Sequence, residues 1–337
     1  MGKRVLNCVI VLFVFAISIT LVISGSVFAY SKEEPMIFKA AIANPATDIK
    51  ARTIKRMGDL VEERTNGRIN FKYFYGASLI KKPAFVDGVA KGIADISTGP
   101  AAFLTGKIPE LEPFNIFGAY DPSKQLEMVN AVRPTLIELF AEKNIYPIMC
   151  QYTGNNIFCH KSKFLKTPAD WKGQKMRAAG RFSSTMTKMW GASPVFMPPA
   201  DLYLSLQRGV IDGFLLIYDI VYGLKLYEVA PYITDTALSN TIELVTMNLN
   251  KWNTLSNEDQ EIFKAVVKEV EPWNFNETLR VVEELKKDII AKGGKIYELN
   301  EEEKSLYMKD VQTLEPEIET VSKETGMKFM KILESFK

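Results

Sequence analysis

Residues with catalytic or metal-binding chemistry are scarce in this chain. Its 337 residues include one histidine, His160, in the segment FCHKSK. The motifs HExxH, GxSxG, CxxC, GxGxxG and the Walker phosphate loop are all absent, and these mark zinc peptidases, serine hydrolases, redox or zinc sites and nucleotide-binding sites. A hydrolase would have to build its site from scattered carboxylates with one imidazole at most. The sequence therefore favours binding without turnover.

Cysteine is also rare. Cys8 lies near the start of an apolar N-terminal segment rather than after it, which is the wrong place for a lipid-attachment cysteine. Cys150 and Cys159 could face each other and form a disulfide if TGNN (153–156) were a two-residue hairpin. If the chain runs straight through this segment, a rise of about 3.3 Å per residue holds the two cysteines roughly 30 Å apart.

No excess of either charge is present. The chain has 42 Lys and Arg residues against 40 Asp and Glu residues, and two of the basic residues, Lys3 and Arg4, belong to an N-terminal leader. Without that leader the two signs balance. The mature chain has no excess of basic residues, so nucleic-acid binding is not expected.

The leader has the features of a secretory signal. Its two basic residues precede an apolar run from Val5 to Ile23, and SVFA provides small or aliphatic residues for cleavage after Ala29. The run is also long enough to span a bilayer, so an uncleaved N-terminal anchor is the alternative. We expect residues 1–29 to be removed and the mature protein to be soluble in the periplasm.

About 300 residues remain, which is enough for two domains with a core each. The first half alternates strand and helix patterns, and this rhythm favours a mostly parallel sheet. The first predicted helix has Thr47 as its N-cap, and Pro134 interrupts the last one. The predicted strands span 36–43, 68–76, 94–98 and 144–152, and the predicted helices span 48–67, 80–92 and 123–143.

A second α/β block starts near residue 155. Its segment PPADLYLSLQRGVIDG (198–213) has two prolines suited to a helix start, and Gly209 stands where a left-handed residue would end the helix. An apolar strand containing a lone aspartate, VIDGFLLIY, follows up to Tyr218. The short helix is thus connected to that strand by a turn at Gly209.

A long helical pattern runs from Ser256 to Lys292 and stops at Gly293. At about 1.5 Å per residue it would be roughly 54 Å long, longer than a small domain is wide. Pro272 should kink or split it. One helix shared by two domains is the natural interpretation.

Three segments carry a resemblance to a known family. They are TPADWKGQKMRAAG (167–180), WGASPVFMPPADLYLSLQRGVIDG (190–213) and KLYEVAPYITDT (225–236). The whole mature chain resembles the solute receptors of tripartite ATP-independent periplasmic (TRAP) transporters, the dicarboxylate-receptor family. The resemblance implies a two-domain α/β periplasmic binding protein with a cleft, hinge strands and a long helix spanning both domains.

By this resemblance, domain I comprises 30–153 plus 242–281, and domain II comprises 154–241 plus 282–337. The chain crosses between domains near QYTGNN (151–156), so it should run through there, and Cys150 and Cys159 are expected to be free thiols. The segment 198–213 is expected to form part of the cleft wall, with Asp212 and Gly213 at the turn into the ligand side.

Arg177 is the first candidate binding residue. In the family, the arginine of a GxKxR segment forms a two-pronged salt bridge with the ligand carboxylate, and GQKMR (173–177) matches that segment. A planar guanidinium suits a carboxylate because it offers two parallel N–H donors. Arg181 could add a second charge, although a surface helix start is an equal alternative.

Polar candidates lie on loops and at the crossing. The resemblance places a ligand-contacting side chain at Asn156, and Tyr152 nearby could add a hydrogen bond. Asn44 and Thr98 follow strands, and the carboxyl ends of strands are where open α/β sheets usually bind ligands.

Leucines depart from the family pattern on the strand after Gly213. Relatives that bind sialic acid carry asparagine at the position of Leu216, and relatives that bind a 2-oxo acid through a metal carry glutamate at the position of Leu215. We therefore expect no metal and no cofactor. Phe214, Leu216 and Tyr218 would instead present an apolar wall to the ligand, although alternation requires about half of such a strand to be core.

The expected function is periplasmic capture of an organic carboxylate with an apolar or aromatic body. The ligand would pass to the small and large integral membrane subunits of a TRAP transporter. Two alternatives stand beside this reading: a receptor for a sensor or another importer on the same scaffold, and an exported enzyme that uses carboxylates.

Overall fold

The computed structural model describes residues 30–337, so the predicted signal sequence lies outside the described residues. Strands alternate with helices along most of the chain, as the sequence predicts. The strands are β1 (Met36–Ala41), β2 (Ile69–Phe74), β3 (Ile96–Pro100), β4 (Ile145–Gln151), β5 (Asn155–His160), β6 (Lys175–Ala178), β7 (Ser193–Phe196), β8 (Gly213–Ile217), β9 (Tyr232–Asn240), β10 (Glu243–Asn248) and β11 (Lys295–Glu298).

Ten α-helices lie among the described residues, and several short 3₁₀ helices connect them. The α-helices are α1 (Ile49–Arg64), α2 (Phe85–Ala90), α3 (Gln125–Ala141), α4 (Arg181–Met189), α5 (Leu202–Gln207), α6 (Tyr218–Gly223), α7 (Leu249–Asn253), α8 (Asn257–Ala291), α9 (Glu301–Gln312) and α10 (Glu315–Glu334). Within residues 30–337, no helix is both long enough and apolar enough for a membrane crossing.

The strands form two separate sheets. The first has the order β2-β1-β3-β10-β4, in which β1 is parallel to β2 and β3 while β10 is antiparallel to β3 and β4. The second has the order β11-β9-β5-β8-β6-β7, in which β6 is parallel to β7 and β8 while β5 is antiparallel to β8 and β9. The expected α/β fold is therefore confirmed, but the first sheet is mixed rather than mostly parallel, because β10 from the second half of the chain inserts antiparallel between β3 and β4.

Two chain crossings connect the sheets. The chain passes from β4 to β5 through residues 152–154, and it returns from β9 to β10 through residues 241–242. At the first crossing Gly154 has φ of 86°, and a Cβ there would lie 3.1 Å from the Val282 side chain of α8. Glycine thus allows the crossing segment to pass close beside the long helix.

The helix α8 contacts the cores of both halves. Near its start Phe263 and Val270 belong to the cluster that contains Phe38 of the first sheet. Near its end Ile289 belongs to the cluster that contains Phe214 of the second sheet. One helix of 35 residues thus packs against both halves, as the length of the pattern indicates.

Pro272 lies inside α8 without splitting it, contrary to one of the two expectations. Its neighbours anchor this part of the helix to the first crossing. The Glu271 carboxylate accepts hydrogen bonds from Arg133 at 2.7 Å and from the backbone N–H of Cys150 at 3.0 Å. The Asn274 side-chain oxygen accepts one from the backbone N–H of Tyr152 at 2.7 Å. These contacts offset the cost of a proline in a helix interior, about 3 kcal/mol.

Several local expectations need correction. The first helix is capped by Asp48 rather than Thr47, since the Asp48 side chain accepts from the backbone N–H of Lys50 at 2.8 Å. Pro134 lies within α3 and does not interrupt it. The strand after Gly209 ends at Ile217, and a helix begins at Tyr218. Gly209 itself has φ of 70°, so the predicted left-handed stop after α5 is present.

The C-terminal helix α10 packs against the first part of the chain. Phe329 of α10 lies 5.0 Å, centroid to centroid, from Phe114 of a 3₁₀ helix at Pro109–Asn115. The backbone N–H of Asp121 donates to the carbonyl of Phe336 at 2.9 Å. The sequence assigned 282–337 to domain II, yet this segment also covers residues of domain I. The exact division of the chain into domains stays a prediction.

Cys150 and Cys159 lie in β4 and β5, in different sheets, and both are buried and free. Burial raises the pKa of the Cys150 thiol to about 12 and that of Cys159 well above its usual value. Both thiols should therefore resist an aromatic disulfide reagent in the native protein and react after denaturation. Thiol counting with and without denaturant tests this, and an intact mass two daltons below that of the reduced protein would contradict it.

Candidate functional site

A cavity lies between the two sheets. Its empty space, which includes a part open to solvent, is about 1010 Å³. The carboxyl ends of β3, β6 and β8 contribute to its wall, which is the usual position of a ligand site in open α/β sheets. Its charged wall residues are Lys50, Lys82, Glu112, Arg177, Arg181 and Glu243, and its uncharged polar ones include Thr105, Asn115, Asn156, Ser183, Asn240 and Thr241.

Arg177 is the most unusual group on this wall. It lies in β6 and is 7% exposed. Its Nε donates to the carbonyl of Met197 at 3.1 Å, and its Nη1 donates to the carbonyl of Leu215 at 3.3 Å. No acidic side chain of the described residues forms a salt bridge with it. A buried cation without a counter-ion is costly, so an anion bound from outside the protein would stabilise Arg177.

The two backbone contacts also fix the guanidinium in place. An arginine has five N–H donors, and two of them are used here. The other three donors form no hydrogen bond with the described residues. Burial lowers the pKa of Arg177 to about 10, so the group remains a cation at neutral pH. The geometry suits a carboxylate, which can accept two parallel hydrogen bonds from a guanidinium.

Lys50, in contrast, is fully paired within the protein. It lies in the first turn of α1 and is 2% exposed, and its ammonium lies 2.8 Å from Asp219 and 3.3 Å from Asp48. Burial lowers the pKa of Lys50, but the two carboxylates outweigh this and raise it above its ordinary value. Since α1 packs on the first sheet and Asp219 follows β8 of the second, this ion pair links the two halves across the cavity.

Lys82 is paired as well. Its ammonium lies 3.0 Å from the Glu243 carboxylate, which is buried on β10, and it donates to the side-chain oxygen of Asn44 at 3.3 Å. Arg181, the first residue of α4, is exposed and forms no salt bridge with any described residue. Of the four basic residues on the wall, Arg177 is thus the one that is both buried and without an acidic partner in residues 30–337.

Asn156 is held in one orientation by the second crossing. Its side-chain N–H donates to the Ser239 hydroxyl at 2.9 Å, and its oxygen accepts from the Thr241 hydroxyl at 3.1 Å. Nearby, Asn240 accepts from Tyr120 and donates to Gln125. These amides form a fixed polar strip at the hinge side of the cavity.

The rest of the wall is largely apolar. The end of β8 and the start of the next helix supply an aliphatic part, and aromatic rings and a methionine supply the remainder. The residues are Leu215, Leu216, Ile217, Ile220, Phe103, Phe117, Phe182 and Met186.

Comparisons with known proteins agree with this architecture. The family model described as bacterial extracellular solute-binding protein, family 7 (DctP), matches residues 40–320. The chain belongs to this family. It is therefore a solute-binding receptor of the TRAP type and not an enzyme.

Individual relatives are more distant. The 2,3-diketo-L-gulonate-binding periplasmic protein of Escherichia coli is 27% identical over 66% of this chain and 69% of that protein. The monocarboxylate 2-oxoacid-binding periplasmic protein of a Nostoc species is 26% identical over 76% of this chain and 71% of that protein. A TRAP periplasmic solute-binding protein of Desulfovibrio salexigens, solved with bound orotic acid, superposes with a TM-score of 0.80 at 23% identity and covers 89% of this chain and 97% of that one.

In this family member the cavity collects four of the nine predicted site residues. Arg177, Arg181, Asn156 and Leu216 all lie on its wall. Whether they contact the ligand remains a prediction.

The other five predicted residues lie off the cavity wall. Four of them form contacts elsewhere, and the buried Thr98 hydroxyl has no hydrogen-bond partner in residues 30–337. The Asn44 side-chain N–H donates to Asp48 at 2.6 Å, and Asp48 in turn pairs with Lys50. Thr98 is fully buried inside β3. Tyr152 lies at the crossing, where its hydroxyl donates to Asn155 at 2.9 Å. Phe214 belongs to the core around β8, and the Tyr218 hydroxyl donates to Asp235 at 3.2 Å.

Asp212 does not lie on the ligand side either. Its carboxylate is 2.5 Å from the Lys161 ammonium and accepts from the backbone N–H of Lys175 at 2.8 Å. It thus ties together the amino end of β8, the start of β6 and the residue after β5. Because the cavity lies at the carboxyl end of β8, Asp212 has a structural position at the opposite end of the strand.

Four charged wall residues were missed by the sequence prediction: Lys50, Lys82, Glu112 and Glu243. Lys50 opens an amphipathic helix, where a lysine is normally solvated, so no sequence signal marked its burial. Glu243 stands alone in the apolar strand IELVTM, and that isolation was a usable signal.

Proposed function

We propose that this receptor captures an organic monocarboxylate with an apolar or aromatic body in the periplasm. The bound acid is then delivered to the small and large integral membrane subunits of a TRAP transporter. The observation that carries the proposal is Arg177, a buried and fixed guanidinium without an acidic partner among the described residues, on the wall of the cavity between the sheets.

The apolar part of the wall supports the choice of ligand body. A hydroxyl-rich ligand placed against Leu215, Leu216 and Phe182 would lose water contacts without gaining partners, at about 1–3 kcal/mol for each unpaired group. An apolar body would gain about 25 cal/mol per Å² that it buries there. An aromatic body could also stack against the phenylalanine rings of the wall.

The names of the relatives support the carboxylate but leave the body open. A diketogulonate, a 2-oxo acid and orotic acid all carry a carboxyl group, but the rest of the molecule ranges from a hydroxylated chain to a planar ring. Leu215 and Leu216 offer neither a metal ligand nor an amide, so the body is expected to be recognised by shape and burial.

Capture would involve closure of the two halves about the crossings at 152–154 and 241–242, with α8 as a common support. Closure would surround the ligand and strengthen the Arg177–carboxylate contact by excluding water. No bond is made or broken. After cleavage behind Ala29, the exported protein would begin at Tyr30.

The test is a thermal-shift screen of aromatic, branched aliphatic, sugar-acid and dicarboxylic ligands, each with and without a chelator. The proposal expects the largest shifts for aromatic or branched monocarboxylates, unchanged by the chelator. Tight binding of a sugar acid or a C4 dicarboxylate, or a shift that disappears with the chelator, would overturn the ligand class.

A further inference from the structure

Glu112 is a second buried charged group on the cavity wall. It lies in the 3₁₀ helix Pro109–Asn115 and is 4% exposed. The backbone there is held by the C-terminal helix, through the tilted ring contact of Phe114 with Phe329 and a 3.2 Å salt bridge between Glu110 and Lys323. The backbone position of Glu112 is therefore set by packing against the C-terminal helix.

Within residues 30–337 no basic side chain forms a salt bridge with Glu112. Its acidic neighbour on the wall, Glu243, is paired with Lys82, and Lys50 is paired with Asp219. Burial raises the pKa of Glu112, while the neighbouring Thr105, Asn115 and Arg181 oppose that rise. Thr105, Asn115 and Arg181 also line the cavity, so Glu112 stands in a polar patch that opens onto the ligand space.

The cavity thus has two buried groups of opposite charge, Arg177 and Glu112, and neither forms a salt bridge within the described protein. They come from different halves of the chain and do not pair with each other. Unpaired buried charges are costly, and both costs disappear if one ligand meets both groups.

We propose that Glu112 is the second polar anchor of the ligand site and determines its specificity. The ligand is a carboxylate that also has an O–H, N–H or ammonium group, and this group donates a hydrogen bond to the Glu112 carboxyl while Arg177 holds the carboxylate. This inference rests on the proposed function, and it narrows the ligand from any apolar monocarboxylate to one that has a hydrogen-bond donor.

Selection against dicarboxylates follows from the same placement. A second ligand carboxylate near Glu112 would meet a like charge or a carboxyl group that it would have to keep protonated. Glu243 adds a further acidic group on the wall, although Lys82 neutralises it. A charge-selective pocket of this kind rejects the wrong ligand by repulsion as well as by lost contacts.

The test uses matched pairs of acids that differ by one donor. Suitable probes are 3-phenylpropanoate against 3-(4-hydroxyphenyl)propanoate, and 4-methylpentanoate against 2-hydroxy-4-methylpentanoate and leucine, with glutarate as the dicarboxylate. Dissociation constants are measured by calorimetry for the parent protein, Glu112→Met and Glu112→Gln. Glu127→Gln is the matched control, because Glu127 is an exposed glutamate of α3 on the same half of the chain and does not lie on the cavity wall.

The parent protein and Glu127→Gln are expected to prefer a donor-bearing acid by at least about tenfold. Glu112→Met should reduce that preference below threefold, and Glu112→Gln should tighten glutarate binding by about tenfold. If acids bind but the preference is absent, or if it survives in Glu112→Met, this inference is wrong and the proposed function stands. If no acid of the set binds the parent protein, the proposed function itself fails, and this inference fails with it.

Discussion

Replacement of Arg177 by methionine is expected to weaken carboxylate binding by at least about 100-fold. The variant loses two charge-assisted hydrogen bonds in a buried site, worth about 3 kcal/mol together, and a factor of ten in affinity corresponds to about 1.4 kcal/mol. Arg177→Lys should recover only part of this, because an ammonium cannot form the parallel pair of hydrogen bonds. Calorimetry with the best acid of the screen measures both effects.

The stability of the empty protein separates a binding role from a structural one. Arg177→Met removes two hydrogen bonds to the carbonyls of Met197 and Leu215, and it also removes a buried charge without an acidic partner. These changes oppose each other, so the free energy of unfolding is expected to stay within about 1 kcal/mol of the parent.

Arg208→Ala is the matched control for both measurements, because Arg208 is an exposed arginine on the same half of the chain. It should leave affinity and stability unchanged. Unchanged affinity in a folded Arg177→Met variant would remove Arg177 from the ligand site. A large loss of stability in that variant would make Arg177 a structural residue.

Replacement of Lys50 by methionine is expected to lower the free energy of unfolding by about 3 kcal/mol. The variant leaves Asp48 buried without its cation and breaks the link to Asp219. This magnitude is the lower end for breaking a buried ion pair, because the Asp219 side chain is 34% exposed. Denaturant unfolding of the empty protein measures the change.

Lys55→Met provides a comparison within the same helix. Lys55 and Asp59 form a 2.8 Å pair in which both side chains are about half exposed, so its loss should cost less than about 0.5 kcal/mol. A double-mutant cycle of Lys50→Met with Asp219→Asn should show coupling of more than about 1 kcal/mol. Equal effects for the two lysine variants, or no coupling, would mean that the Lys50 pair does not stabilise the contact between the halves.

The sequence predicted the main features of the fold because they depend on local patterns. A helical pattern from Ser256 to Lys292 was long enough to require two supporting domains, and α8 packs against both cores. Gly209 marked the end of a helix, since few other residues adopt its left-handed conformation. Arg177 was found through the GQKMR segment, which the family resemblance supplied.

The apolar strand was harder to interpret. Phe214, Leu216 and Tyr218 were expected to share a cavity face because they alternate along a strand. The position along the strand proved more important than its face: the cavity touches Leu215 to Ile217, at the carboxyl end, while Phe214 lies in the core and Tyr218 begins a helix. Sequence periodicity does not show which end of a strand meets the neighbouring domain.

Charged residues made the largest difference between the predicted and observed wall. Lys50 and Glu112 are buried by contacts that join segments far apart in sequence, namely Asp219 for the lysine and the C-terminal helix for the glutamate. Lysine and glutamate are usually exposed, and neither the helical pattern around Lys50 nor the proline beside Glu112 indicates that these side chains are buried. Such positions can be found only when the tertiary structure is known.

The most direct test is a crystal structure of the receptor with the organic acid that co-purifies with it. The account predicts one ligand in the cavity between the sheets, with its two carboxylate oxygens at about 2.7–2.9 Å from guanidinium nitrogens of Arg177 and its body against Leu215, Leu216 and Phe182. A ligand that presents an uncharged group to Arg177, or one that binds outside this cavity, would contradict it.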